Sequence, residues 1–276
     1  MEIAYYNGEF INIDTKVIPI QERGHQFGDG VYEVIRVYNG ELFLAEEHLA
    51  RLQKSADAIQ LKLPLEITDL LELMKEGIKR STIKEVEVYI QITRGIAPRT
   101  HYFPDVVPQL AMTVKPARQT NVEKREKGIS VVLTEDERWA NCYIKSLNLL
   151  PNVLAKQNAV INGFDEAIFV KDSFITEGSS SNIFVVKDGI VYTPPATKKI
   201  LHGITRATVF TLAQENNLQV IEKEFNEQFL LDADEAFITS TSLEVQPIAI
   251  VNQHTLPLRK PITRLLQEQF TKLYQK

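Results

Sequence analysis

The chain has 276 residues, 44% hydrophobic and 24% charged, a globular composition with length enough for two domains of ordinary size. A formal net charge of -5 speaks against a nucleic-acid partner, because phosphate backbones are met by basic surfaces. The one cysteine, Cys142, excludes an intramolecular disulfide. The first residues lack a basic stretch followed by an apolar core, and no apolar run approaches the ~18 residues of a membrane span, so the expected location is the cytoplasm.

Near the start, Asn7-Gly8 and Asn39-Gly40 separate short strand-like segments, and Asn-Gly is the strongest short hairpin signal. Leu49, Leu52, Ala56 and Ile59 recur at helical spacing and predict a helix over 46–60. Leu70, Leu71, Met74 and Ile78 predict a second over 67–80. Residues 85–93 alternate, with Val86, Val88, Ile90 and Ile92 on one face, as a half-buried strand does. Another strand is expected over 110–114. The polar stretch 115–122, containing Pro116, is the expected linker between domains of 1–117 and 118–276.

Beyond it come a strand over 129–133, a helix over 150–162 stopped by Gly163, and a strand over 167–170. Lys187-Asp188-Gly189 turns a hairpin between 183–186 and 190–192. A helix starts after Gly203-Ile204-Thr205, a strand lies within 234–241, and 261–274 is an amphipathic helix. Helices and strands mix without regular βαβ alternation, which predicts an α+β protein.

Three segments of the second half could carry chemistry. In Cys142-Tyr-Ile-Lys145-Ser-Leu-Asn148 the lysine is, taken alone, an ordinary surface charge. A functional lysine would form an imine with an aldehyde cofactor, which requires a deprotonated amine. Thr176-Glu177-Gly-Ser-Ser-Ser-Asn182 reads as a flexible turn, yet it lies between strand-like segments and begins beside a carboxylate. Leu201-His-Gly-Ile-Thr-Arg206 places backbone N–H groups and a hydroxyl at the positive end of a helix, a geometry that suits a phosphate as well as an ordinary cap.

Their order is more specific than any one of them. Lys-Ser-Leu-Asn, then Glu-Gly-Ser-Ser-Ser-Asn, then Gly-Ile-Thr-Arg resembles the class IV aminotransferases. The resemblance extends through Arg23-Gly-His-Gln-Phe-Gly-Asp-Gly-Val-Tyr-Glu33 and Phe237-Ile-Thr-Ser-Thr241, nearly the whole chain. It implies a two-domain fold-type IV enzyme, with a small N-terminal α/β domain and a larger C-terminal pseudo-barrel domain. Its cofactor is pyridoxal 5′-phosphate, carried by Lys145 as a Schiff base. Lys145 is then also the catalytic acid and base. Glu177 pairs with the pyridine nitrogen, Arg51, Ile204, Thr205 and Thr241 hold the phosphate, and Ser180 and Ser240 lie beside the cofactor.

The substrate is read elsewhere. Arg99 and His101 occupy a Pro-bounded loop after the strand over 85–93. Arginine offers a planar fork matching a carboxylate, and histidine a second donor. With Tyr32 they resemble the carboxylate trap of the D-amino-acid aminotransferases. That trap reaches across from the neighbouring subunit, which implies a homodimer. The expected reaction is transfer of an amino group from a D-amino acid such as D-alanine to 2-oxoglutarate, giving D-glutamate by a ping-pong scheme. A branched-chain L-aminotransferase or (R)-amine transaminase shares the scaffold, and a non-catalytic cofactor-binding protein is the alternative of another kind. The chain departs from the subfamily in Arg36, where lysine is usual, and in Pro151, at a first helical turn that tolerates proline.

Overall fold

A computed structural model describes residues 1–119 and 121–275 and divides the chain into two units, Met1–Arg118 with Ile144–Asn148, and Gln119–Tyr143 with Leu149–Lys276. The strands of the first unit are β1 (Ile3–Tyr6), β2 (Glu9–Ile11), β3 (Gly30–Tyr38), β4 (Glu41–Leu42), β5 (Val86–Thr93) and β6 (Gln109–Pro116). They pair antiparallel throughout, in the order β2-β1-β6-β5-β3-β4. Asn7 and Asn39 take φ of 43° and 53° ahead of Gly8 and Gly40, so both expected hairpin turns form.

Period-two alternation gives this sheet one apolar face. Val31, Ile35 and Val37 of β3 line up with Val88, Ile90 and Ile92 of β5 and Leu110, Met112 and Val114 of β6, all buried. Helices α2 (Ala45–Ala58) and α3 (Ile67–Ser81) cover that face with Leu49, Leu52 and Ala56, and with Leu70, Met74 and Ile78. Gly77 permits the close approach of α3, since a Cβ there would stand 2.9 Å from the Met112 side chain. Helix α1 (Arg23–Phe27) is too short for periodicity to reveal.

The second unit holds β7 (Ile129–Glu135), β8 (Glu166–Lys171), β9 (Phe174–Gly178), β10 (Asn182–Lys187), β11 (Ile190–Thr193), β12 (Val220–Glu222), β13 (Glu235–Ser240), β14 (Glu244–Val251) and β15 (His254–Thr255). Its helices are α4 (Val122–Lys127), α5 (Leu150–Ile161), α6 (Ile204–Glu215), α7 (Glu227–Leu231) and α8 (Pro261–Lys272). The sheet order is β12-β11-β10-β13-β14-β7-β8-β9, with β15 on β14. A turn of three residues joins β9, at one edge, to β10, five strand intervals away in that order. Five intervals span about 24 Å in a flat sheet. Four Cα steps reach at most about 15 Å. The sheet therefore curls on itself, and the 178–182 turn bridges the curl.

The expected α+β class holds. Lys115 and Pro116, expected in a linker, close strand β6 opposite Glu87 and Val86. A terminal strand position tolerates proline. Thr120, also in the expected linker, lies outside the described residues. Among the described residues no helix is long and apolar enough to cross a membrane.

Candidate active site

The functional candidates fall into two groups, one in each unit. In the first, the segment Ile144–Asn148 is fastened by its main chain. Tyr32 N–H donates to Lys145 O at 3.0 Å, Leu147 N–H to Gly30 O at 3.0 Å, and Lys145 N–H to Ser55 Oγ at 3.1 Å. Gly28 and Gly30 allow this fit: a Cβ on Gly28 would lie 2.7 Å from Asn148 Oδ1, and one on Gly30 2.8 Å from Leu147 Cδ1. With its backbone so held, Lys145 places Nζ 4.4 Å from the centre of the Tyr32 ring. Tyr32 in turn packs on Tyr89 at 5.7 Å.

On the other face of β3, Glu33 is the charged exception in an apolar layer. Arg51 grips its carboxylate as a fork, Nε to Oε1 at 2.7 Å and Nη2 to Oε2 at 2.8 Å, and His48 Nδ1 lies 2.8 Å from Oε2. Burial alone would raise the Glu33 carboxyl; the Arg51 charge and hydrogen bonds outweigh it and hold it at about 2. Burial also lowers His48, against the pull of Glu33. Arg51 thus stands on a buried counter-ion with 10% of its side chain exposed.

Arg99 and His101 project from the loop between β5 and β6, and both are exposed. Arg99 Cζ lies 4.6 Å from the centre of the Phe27 ring, and the His101 ring packs on the same phenyl at 5.7 Å. Within the chain nothing joins Tyr32 to either: among the described residues no hydrogen bond, ion pair or ring contact links them. Arg36 turns to Glu85 at 3.0 Å and to the Tyr38 ring, 4.9 Å from its centre.

In the second unit, Glu177 of β9 is buried and surrounded by donors. Arg138 Nη1 donates to Oε1 at 2.5 Å, Asn182 Nδ2 to Oε2 at 2.9 Å, and Leu201 N–H to both oxygens at 3.1 and 3.0 Å. Burial nevertheless pushes the carboxyl up to about 7, against Arg138 and the Leu201 amide. The reason lies in Arg138, whose Nε and Nη2 are taken by Asp136 at 2.9 and 2.7 Å. Burial would raise Asp136 as well, but the hydrogen bond and charge of Arg138 hold it below the usual carboxylate range.

Asn182 gathers the rest of this group. Its Nδ2 also donates to Leu201 O at 2.9 Å, and a Cβ on Gly203 would stand 2.1 Å from its Oδ1. Gly203 is the N-cap of α6 without a side-chain cap bond, so the first-turn amides at Ile204 and Thr205 face outward along the helix axis. Across the β10–β13 ladder Asn182 pairs with Thr239, next to Ser240 and Thr241. Ser240 Oγ accepts from Leu243 N–H at 3.2 Å. Asn182 thus joins Glu177 to the turn before α6 and stands opposite Thr239, the residue ahead of Ser240 and Thr241. Ser180 is exposed, its hydroxyl at a marginal 3.5 Å from Glu166.

Several residues of these groups had no signal of their own in the chain. Asp136 and Arg138 read as charges of a solvated loop, and Phe27 and Asn182 only as letters of longer motifs.

Comparison with known proteins bears on what the two groups serve. The profile of amino-transferase class IV matches residues 30–251. A D-alanine aminotransferase of Staphylococcus epidermidis is 41% identical over 278 residues, covering 100% of this chain and 99% of that protein. One from Bacillus licheniformis is 42% identical over 95% of both. Among solved structures, the branched-chain amino acid aminotransferase of Escherichia coli superposes with a TM-score of 0.91 at 26% identity, covering 99% of this chain and 94% of that one. The chain belongs to amino-transferase class IV.

Proposed function

We propose that this aminotransferase acts on D-amino acids, moving the amino group of a donor such as D-alanine to 2-oxoglutarate in two half-reactions. The residues fit pyridoxal 5′-phosphate as cofactor. Gly178 and Gly203 let polar side chains of the second group approach the backbone closely, since a Cβ on either would meet Ser181 Oγ or Asn182 Oδ1 at 2.1 Å. Ser181 Oγ and Thr239 Oγ1 are buried there without a hydrogen-bond partner among the described residues. Lys145 would hold the aldehyde, Glu177 the ring nitrogen, and Arg51, Ile204, Thr205 and Thr241 the phosphate, with Ser180 and Ser240 alongside. Bound there, the cofactor supplies an electron sink for carbanion chemistry.

The chain's own residues do the rest. Tyr32, Arg99 and His101 bind the substrate carboxylate and fix which face of the α-carbon is presented. Lys145 Nζ moves the proton at that carbon. Glu177 holds a negative charge where the ring nitrogen is to stay protonated. The exposure of Arg99 and His101 in the single chain supports a homodimer in which they serve the partner's site. The bare apolar side chains Leu150, Val153, Leu154 and Ile161 of α5 support association as well.

The observation that carries the reading is Arg99, an exposed guanidinium with no carboxylate partner among the described residues, in a chain most of whose length matches proteins named D-alanine aminotransferase. Identity of 41–42% to those proteins against 26% to the branched-chain enzyme favours the D-specific reading. The test is to add D-alanine and L-alanine separately to the yellow holoenzyme and follow the cofactor absorbance. Conversion with D-alanine alone is expected; conversion with L-alanine or L-leucine alone overturns the reading. Arg99→Ala is expected to raise the KM for 2-oxoglutarate strongly, and an unchanged KM would remove Arg99 from the trap.

A further inference from the structure

The loop that carries Arg99 and His101 is fastened to its own unit at several points, and each leaves those two side chains outside. Arg94 N–H donates to Asp29 O at 3.0 Å, and Arg94 Nε to the Asp29 carboxylate at 3.0 and 2.9 Å. Arg23 reaches that carboxylate through Nε at 2.8 Å and places Nη1 on Thr100 O, also at 2.8 Å. Thr100 is the residue between the two, so this bond holds the backbone from which both project. Gly95, at φ 123°, lets the chain pass where a Cβ would meet Val107 O at 2.5 Å, and Arg94 Cζ lies 3.6 Å from the centre of the Phe103 ring.

A fixed backbone does not order a long side chain, and arginine has rotamer freedom to lose. Phe27, the last residue of α1, supplies what the backbone cannot. Its ring lies 4.6 Å from Arg99 Cζ, 4.7 Å from Arg23 Cζ and 5.7 Å from the His101 ring. Among the described residues Arg99 and His101 have no other hydrogen bond, ion pair or ring contact. A guanidinium held by a ring face keeps its in-plane N–H fork free, the edge that a carboxylate accepts. Arg23 meets the phenyl already paired with Asp29, a carboxylate that it shares with Arg94.

Phe27 is followed by Gly28 in the left-handed region at φ 67°, which ends α1 and turns the chain through Asp29 into β3. One short stretch thus serves both the loop and the strand that bears Tyr32. We infer that Phe27 is the positioning residue of the carboxylate trap, its ring setting the orientation in which Arg99 and His101 meet the substrate carboxylate. This rests on the trap reading of Arg99 and His101 proposed above. Phe27 itself touches no substrate.

The test uses the holoenzyme with D-alanine as donor. Phe27→Leu is expected to raise the KM for D-alanine on the order of tenfold, about 1.4 kcal/mol, while kcat stays within a small factor. Phe27→Tyr, which keeps the ring, restores a KM near that of the parent. In an Arg99→Ala background, Phe27→Leu adds little more. An unchanged KM in Phe27→Leu beside a raised KM in Arg99→Ala overturns the role of Phe27 and leaves the trap standing. Fully additive effects of the two substitutions overturn it as well, because Phe27 would then act elsewhere. Unchanged KM in both variants overturns the trap and the inference together. Should thermal unfolding show that Phe27→Leu is lost, Phe27→Met keeps the apolar volume without the ring, and a parental KM there is equally fatal.

Discussion

Two buried glutamates, each gripped by an arginine, end in opposite electrostatic states. Glu33 in the first unit accepts from Nε and Nη2 of Arg51 and has a histidine besides, and its carboxyl is held at about 2. Glu177 in the second unit has one N–H of Arg138, whose remaining fork belongs to Asp136, and it is pushed up to about 7. The local charge balance explains the difference. Burial opposes both charges; around Glu33 it is outweighed by Arg51 with Lys145 adding to it, whereas around Glu177 it prevails over an Arg138 that is divided between two carboxylates. The second site is short of one positive charge, and a protonated ring nitrogen is a group that would supply it. Glu33 is a finished ion pair, whereas Glu177 shares its one arginine with Asp136, as the counter-ion role proposed for it requires.

Neutralising each glutamate separates the two states. Glu33→Gln leaves Arg51 buried against an apolar layer without its counter-ion, and breaking such a pair costs about 3–5 kcal/mol. The loss is expected in the urea midpoint of the cofactor-free protein and, on the phosphate role proposed for Arg51, is smaller with the phosphate-bearing cofactor bound. An equal loss in both states would deny Arg51 a role with the phosphate. Glu177→Gln should instead strike activity. Removing one preorganised charge from a reacting site lowers kcat by roughly 10²–10³. Retention of more than about a tenth of the parental kcat would sink the counter-ion reading.

Much of this contrast was not legible in the chain. Lys145, Glu177 and the 203–205 turn stood out because their order along the sequence is specific. Arg51 could be placed off the apolar stripe of its helix, but its partner Glu33 is 18 residues away and reads as an ordinary member of a strand. Asp136 and Arg138, two residues apart in a polar loop, look like solvated charges; the pairing of β7 with β8 and of β8 with β9 brings Arg138 to Glu177, 39 residues on. The parallel pairings of β7 with β8 and β14 were equally hidden, since distant strands find their register through packing and not through local pattern. The helices of twelve residues or more and the hairpins at Asn7-Gly8, Asn39-Gly40 and 187–189 carry local signals and lie close to where those signals place them, whereas α1, α4 and α7 are too short for periodicity to show.

The pH dependence of folding should carry opposite signs for the two glutamates. Glu33 sits below the ordinary value of 4.5, so its stabilisation is complete above that pH and is lost as pH falls toward 2. A shift of that size corresponds to about 3 kcal/mol. Glu177 sits above 4.5, so the stability linked to its protonation is complete below 4.5 and is lost as pH rises through 7. Denaturant unfolding of the cofactor-free protein is the measurement. Glu177→Gln should gain on the parent above neutral pH, and Glu33→Gln should flatten the acid limb. A shared sign for the two would refute the opposite charge states of Glu33 and Glu177.

The smallest effect is also the most local. Burial pushes the Cys142 thiol up to about 11, with Arg138 pulling it down and Glu177 and Asp136 pushing it up. Since the thiolate is the nucleophile, alkylation near neutral pH should run well below the rate of a free cysteine, by about a hundredfold for a displacement of two units. Glu177→Gln removes one of the acidic neighbours and leaves Arg138 in place. Cys142 should therefore alkylate faster in that variant, and the gain should be present above pH 7, where the parental Glu177 is ionised, and absent well below it, where it already carries a proton. A gain of the same size at every pH would mean that the substitution had merely opened the pocket, and that Glu177 is not the titrating group.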